Sequence, residues 1–210
     1  MTARDLQVYR VYGDIQSGNC YKIKLLMNHL DIKHEWIDLD ILQGKTKTAE
    51  FLLKNPNGKI PILELTSGKC LAESNAILNY LAEDSSYLPN DPWARANVLQ
   101  WQFFEQYSHE PYIAVARFIA KYLGLLEERR QEFEAKQAGG NKALTVMEQH
   151  LEKNEFMVND TLTIADISLY AYTHVAHEGG FQLEKYPAIE SWLSRISNHP
   201  RHITMAQAND

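Results

Sequence analysis

Cysteine is scarce in this chain: Cys20 and Cys70 are the only two in 210 residues. With no CxxC spacing and no cysteine–histidine cluster, a disulfide scaffold and a zinc site of ordinary spacing are both excluded. The eight histidines are scattered, and the one close pair, His174 and His177, has no further ligand beside it, so no metal is expected. Basic residues are outnumbered, 21 against 27 acidic ones, for a net charge of -6. That balance disfavours the basic face that nonspecific nucleic-acid binding requires. No run approaches the roughly 18 apolar residues that span a bilayer. Met1 to Asp5 carry no apolar segment of the kind that opens a secretory signal. Neither a nucleic acid nor a membrane is therefore expected as a partner, and the cytoplasm is the expected location. Repeats and low-complexity tracts are also missing. The hydrophobic share, 45%, is that of an ordinary globular chain, and the length suffices to bury a core without cross-links.

The pattern of elements changes partway along the chain. Leu6 to Tyr12 is rich in β-branched and aromatic residues and reads as a strand, broken by Gly13 and Asp14. Ser17-Gly18-Asn19 supplies turn and cap chemistry, and apolar residues from Cys20 to Leu30 recur at helical spacing. A second strand is expected over His34–Asp38 and a short helix over Thr48–Lys54, ended by Asn55-Pro56-Asn57-Gly58. Ile60–Leu65 and Lys69–Ala72 read as a hairpin, and Ser74–Ala82 as a helix. This β-α-β-α-β-β-α order fills residues 1–84. Residues 85–91 have linker composition. Over 92–210 every long segment is helical: Arg95–Tyr122 with a bend near Pro111, Leu126–Lys153 with Gly139-Gly140 as a weak point, Ile164–His177, and Ala188–Ser197. The tail after Pro200 is polar and is expected to be loosely ordered. A mixed α/β domain followed by an all-α domain is the expected architecture.

Three short constellations carry chemistry. Ser17 stands at the start of a helix, where unpaired N–H groups and the helix dipole favour negative charge. A thiolate placed there can accept a hydrogen bond from the hydroxyl. Lowering a thiol of pKa ~8.5 by about two units takes roughly 2.7 kcal/mol. One charge-assisted hydrogen bond contributes about 1.5–3 kcal/mol, so hydroxyl and dipole together are of the right size. The second constellation is Asn55-Pro56-Asn57-Gly58-Lys59-Ile60-Pro61. A cis Ile60-Pro61 bond would turn the Ile60 backbone outward, toward an extended peptide ligand. The third, Glu73-Ser74 between a strand and a helix, suits the ammonium and carboxylate of an α-amino acid end. Read singly, Ser17 and Glu73-Ser74 are as readily plain helix caps, and the proline a trans one closing a loop.

In order and spacing these segments resemble the glutathione transferase family across nearly the whole chain. Tyr12 to Cys20 is similar to the first-strand and catalytic-serine loop of theta-like and related bacterial classes. Asn55 to Pro61 is similar to the loop carrying the family's cis-proline, and Leu71 to Ile77 to its γ-glutamyl-binding turn. Leu162 to Ser168 resembles the family's N-capping box, with Thr163 capping and Asp166 reaching back. The resemblance implies a thioredoxin-like glutathione-binding domain over 1–84, an all-helical domain over 92–210, and a homodimer. It implies Ser17 as the thiolate-stabilising hydroxyl, with Cys20 as the second choice. It carries Ile60 as the backbone partner of the cysteinyl unit, with Lys59 beside it, and Glu73 and Ser74 as the grip on the γ-glutamyl end. Lys47, Thr46 and Gln43 are candidates for glutathione's glycine end, and Tyr107, Tyr112 and Arg117 for the wall of an electrophile pocket. The function implied is conjugation of the glutathione thiolate to small hydrophobic electrophiles, a detoxification chemistry. Isomerisation, dehalogenation, disulfide reduction and a non-catalytic interaction module remain alternatives.

Overall fold

Strand β1 (Tyr9–Gly13) alternates buried and outward residues, with Tyr9 and Val11 in the core and Arg10 in solvent. That period of two is what a strand covered on one face requires. The computed structural model describes residues 8–209. Leu6 and Gln7 of the expected first strand lie outside the described residues. β1 pairs in parallel with β2 (His34–Asp38) and antiparallel with β3 (Ile62–Glu64). β3 pairs antiparallel with β4 (Cys70–Ala72), so the sheet order is β2-β1-β3-β4. The parallel pair needs a crossover, which α1 (Gly18–His29) supplies. With α2 (Ala49–Lys54) and α3 (Ser74–Ala82) the element order is that of a thioredoxin-like domain.

α1 is buried on more sides than its apolar spacing suggests: Cys20, Tyr21, Ile23, Leu25, Leu26 and Met27 are inaccessible, and so is Lys22. Besides α3, residues after Pro200 cover this helix. The Tyr21 hydroxyl donates to the Ile203 carbonyl (2.6 Å), the Asn28 amide to the Arg201 carbonyl (2.7 Å), and the Lys24 ammonium to the Ala208 carbonyl. Arg201 in turn donates to the His29 carbonyl (2.8 Å). The tail after Pro200 is therefore held against α1, contrary to the loose order expected of its polar composition. Its acceptors are main-chain carbonyls, which residue identity does not reveal.

The chain divides into two units, Met1–Glu83 with Arg201–Asp210, and Asp84–Pro200. The second is all-helical. α4 (Pro92–Phe104) starts with Pro92 in its first turn and with the Asp91 carboxylate accepting from the Ala94 N–H (2.8 Å). Helical backbone then continues through a π turn (Glu105–His109), α5 (Glu110–Arg117) and a second π turn (Phe118–Tyr122). Proline at 111 has no N–H to give, and the wider turn just before it lets the helix pass without stopping. α6 (Arg130–Leu151) runs unbroken through Gly139-Gly140, which is not the weak point expected. A Cβ on Gly139 would sit 2.2 Å from the Tyr112 ring and one on Gly140 2.2 Å from the Phe181 ring. The glycines are notches for aromatic rings. α7 (Ile164–Thr173) is buried at every position, and α8 (Pro187–Ser197) completes the unit.

Thr163 caps α7, accepting from the Ala165 N–H at 3.2 Å, and the Asp166 carboxylate accepts from the Thr163 N–H at 2.9 Å. Asp166 also accepts from the Met157 N–H (2.8 Å) and the Trp192 indole N–H (3.0 Å). Complete burial pushes this carboxyl up, and those same hydrogen bonds pull it back.

Candidate functional site

Four loop ends of the N-terminal unit carry the expected site residues, and hydrogen bonds join them in two pairs. The first is the turn after β1. A Cβ on Gly13 would fall 2.9 Å from both the Cys20 sulfur and the Trp36 ring, so only glycine lets the start of α1 seat against the strand. Ser17 occupies the N-cap position with extended backbone and makes no cap hydrogen bond through its side chain. The simple capping role that an isolated serine suggests is thus not the one it plays.

Cys20, the alternative to Ser17, is fully buried. Burial pushes its thiol up to about 12, while hydrogen bonds with the Asp14 backbone and the Ser17 side chain pull only partly the other way. Near neutral pH it is a packed, protonated thiol.

The second loop end is Asn55–Ile60. Asn55 is its buried keystone: the amide donates to the Lys59 carbonyl (2.8 Å), while its Oδ1 and carbonyl accept from the N–H groups of Asn57 (3.1 Å) and Gly58 (2.9 Å). Gly58 has φ +63°, a region that favours glycine, and its missing Cβ leaves room for the Lys47 ammonium and the Thr46 carbonyl. The Ile60-Pro61 bond is cis. Lys59 itself is exposed.

The third is the turn containing Lys45–Lys47, a 3₁₀ helix that the sequence reading did not anticipate. It places Thr46 in a buried position and lets the Lys47 ammonium donate to the Gly58 carbonyl (3.2 Å), joining this turn to the Asn55 loop. Gln43 stands exposed just before it, in a turn whose Asp40 carboxylate accepts from the Leu42 and Gln43 N–H groups (2.9 and 3.2 Å).

The fourth is Glu73-Ser74, at the start of α3. Glu73 has φ +67° and ψ 111°, an unusual backbone for a residue with a Cβ. Such strain persists where the surroundings impose it, commonly at a binding site. The Ser74 hydroxyl is buried and donates to Asn19 Oδ1 (3.1 Å). That bond ties the start of α3 to the start of α1, bringing the Ser17 turn and the Glu73-Ser74 turn together. Asn19 was not singled out from sequence as more than turn chemistry. Its place two residues beyond Ser17, on the first turn of a helix, is the signal that was there to use.

The three residues expected on an electrophile pocket wall have different surroundings in the helical unit. Tyr107 is 85% exposed. Tyr112 lies in the Gly139 notch with the Lys136 ammonium over its ring, and Arg117 is buried against the Glu178 carboxylate (2.5 Å). Among the described residues there is no group of three histidines, cysteines or acidic residues placed to hold a metal ion, and no helix long and apolar enough to cross a membrane.

Residues 7–83 match the family described as glutathione S-transferase, N-terminal domain, and residues 100–200 its C-terminal domain. A glutathione S-transferase structure from Pseudomonas fluorescens superposes with a TM-score of 0.93 at 61% identity, covering 94% of this chain and 98% of that one. Glutathione S-transferase-like protein FUS3 of Gibberella fujikuroi is 33% identical over 161 residues, 71% of this chain and 74% of its own length. Elongation factor 1-gamma-B of Xenopus laevis is 32% identical over 159 residues, which is 73% of this chain but 36% of the elongation factor.

Proposed function

Because the chain belongs to the glutathione S-transferase family, we propose that it binds glutathione and transfers its thiolate to small hydrophobic electrophiles, with Ser17 holding the sulfur ionised. The observation that carries this reading is the position of Ser17: at the mouth of α1, its side chain making no cap bond, and tied through Asn19 and Ser74 to the Glu73 turn.

In this reading the γ-glutamyl end lies at Glu73 and Ser74, where a carboxylate and a hydroxyl meet the start of α3. The Ile60 backbone pairs with the cysteinyl unit. Lys59 stands beside Ile60, and Lys47, Thr46 and Gln43 serve the glycine end, an anionic group that suits the Lys47 ammonium. The thiol approaches the first turn of α1, whose N–H groups and dipole favour the charged sulfur, and the Ser17 hydroxyl donates to it. Attack on the electrophile then proceeds from a raised thiolate fraction and from proximity.

Ser17→Ala is expected to lower kcat/KM for conjugation about ten- to a hundredfold, the value of one hydrogen bond to a charged group. Cys20→Ala is expected to stay within about threefold of the parent, since a buried protonated thiol is a packing group. Full activity in Ser17→Ala together with loss in Cys20→Ala would reverse the assignment.

The match to elongation factor 1-gamma-B supports a second reading, a glutathione-binding module without turnover. Retention on immobilised glutathione with no conjugation of any test electrophile would favour it.

The chain pairs with a second copy of itself in this proposal. Its support is an apolar row, Leu99, Phe103 and Tyr107, exposed at four-residue spacing along α4 and the π turn after it. Phe103→Glu is expected to convert a dimer to monomers in sedimentation, and unchanged sedimentation would remove this face from the interface.

A further inference from the structure

Three side chains of the N-terminal unit meet on the sheet face opposite Val11 and take no part in the reaction described above. Tyr12 and Glu64 lie diagonally across the β1–β3 pair, since Tyr12 stands opposite Ile62. Long side chains reach across that diagonal. The Tyr12 hydroxyl donates to Glu64 Oε2 at 2.5 Å, and the Lys54 ammonium donates to the same oxygen at 2.9 Å. The Lys54 ammonium also stands 5.0 Å from the centre of the Tyr12 ring. All three are shielded: the Lys54 and Glu64 side chains are 22% and 12% exposed, and Tyr12 is half-buried. The neighbouring pair Arg10–Glu35 is, by contrast, a solvent-facing bridge with half of each side chain in water.

What distinguishes the trio is where the chain goes from each member. β1 passes from Tyr12 through Gly13 into the turn that ends at Ser17. Lys54 is the last residue of α2 and is followed at once by Asn55, the keystone that holds the carbonyl of Lys59. β3, which carries Glu64, is entered through Ile60 and Pro61. One carboxylate oxygen therefore joins the three segments that present the sulfur-side and the peptide-side residues of the site.

We propose that Tyr12, Glu64 and Lys54 form a positioning clamp that holds the Asn55–Ile60 loop in register with the Ser17 turn, and so sets the affinity for glutathione. The inference rests on the reading given under Proposed function. The clamp touches neither the thiol nor the electrophile, so its members are positioning residues, and their effect is on glutathione binding rather than on the chemical step. Tyr12 is correspondingly not a catalytic tyrosine, its hydroxyl being engaged by Glu64. The clamp holds its charges near neutral pH. Hydrogen bonds from Tyr12 and Lys54 keep the Glu64 carboxyl below the usual range, and the bond to Glu64 keeps the Lys54 ammonium above its own.

The test compares the full-length parent with Tyr12→Phe, Lys54→Met and Lys54→Arg. The readouts are the Kd for glutathione by calorimetry, kcat at saturating glutathione, amide hydrogen exchange over residues 55–60, and Tm. Tyr12→Phe and Lys54→Met are expected to weaken glutathione binding about tenfold, the loss of one bond to a charged group, and to speed exchange in the loop. Their kcat is expected to stay within about twofold of the parent, and Lys54→Arg to recover most of the affinity. A lowered Tm with parental Kd and parental loop exchange would make the trio a purely structural contact and overturn the inference. So would a fall in kcat with Kd unchanged. Should Lys54→Met fail to fold, Tyr12→Phe, which removes one oxygen, decides alone. If the parent itself does not bind glutathione, the proposed function falls and this inference with it. If the parent binds and the variants bind equally well, only the inference falls.

Discussion

Gly13 stands where β1 hands over to α1, with the Cys20 sulfur and the Trp36 ring each 2.9 Å from where its Cβ would be. Gly13→Ala must push α1 away from the strand end, and neither neighbour is the free end of a flexible chain. The expected cost is about 1–3 kcal/mol of stability, read from urea unfolding, accompanied by weaker glutathione binding because Ser17 moves with the helix. At this scale the sequence was informative where local chemistry decides. Ser17, Glu73 and Ser74 stand at helix starts, as their neighbours suggested. Residues whose importance comes from a distant partner were not legible. Asn19 matters through Ser74, 55 positions away, and Tyr12 through Glu64, 52 positions away. Arg117 and Tyr112, expected on a pocket wall from the resemblance, likewise have partners that spacing does not reveal: Glu178 and the Gly139 notch.

Among the elements, α7 and its cap show how a local motif acquires a tertiary role. The Thr163–Asp166 box is readable from four consecutive residues. That the same carboxylate also accepts from Met157 N–H and from the Trp192 indole on α8 is not. Asp166→Ala leaves these donors and the Thr163 N–H without their acceptor in a site sealed from water. At about 1–3 kcal/mol per orphaned group, partly relieved by relaxation, the expected loss is about 3–5 kcal/mol in chemical denaturation. Strand and helix identities followed from periodicity, and His34–Asp38 and Ser74–Ala82 have the bounds expected. The Lys45–Lys47 turn was missed because a 3₁₀ segment of three residues has no period to read. Gly139-Gly140 was misread because glycine's low helix propensity says nothing about the ring that needs the space.

For the molecule as a whole, the alternation of mixed and all-helical segments made the two-part architecture legible, and one connection hid itself. Residues 201–208 group with the first unit, lying against α1 through bonds to main-chain carbonyls. Truncation after Pro200 removes four such hydrogen bonds and uncovers part of α1. The expected effect is a loss of about 2–5 kcal/mol confined to the N-terminal unit, seen as a separate early step in denaturant unfolding. A single unshifted transition would show that the tail contributes nothing to that unit.

The same arrangement bears on how the protein is made. Translation is vectorial, and its N-terminal unit begins to collect its parts first yet receives its closing segment last. Residues 201–208 must be made before Tyr21, Lys24 and Asn28 find their acceptors, and they follow the whole of the helical unit, so that unit, whose residues are contiguous, is the earlier of the two to be whole.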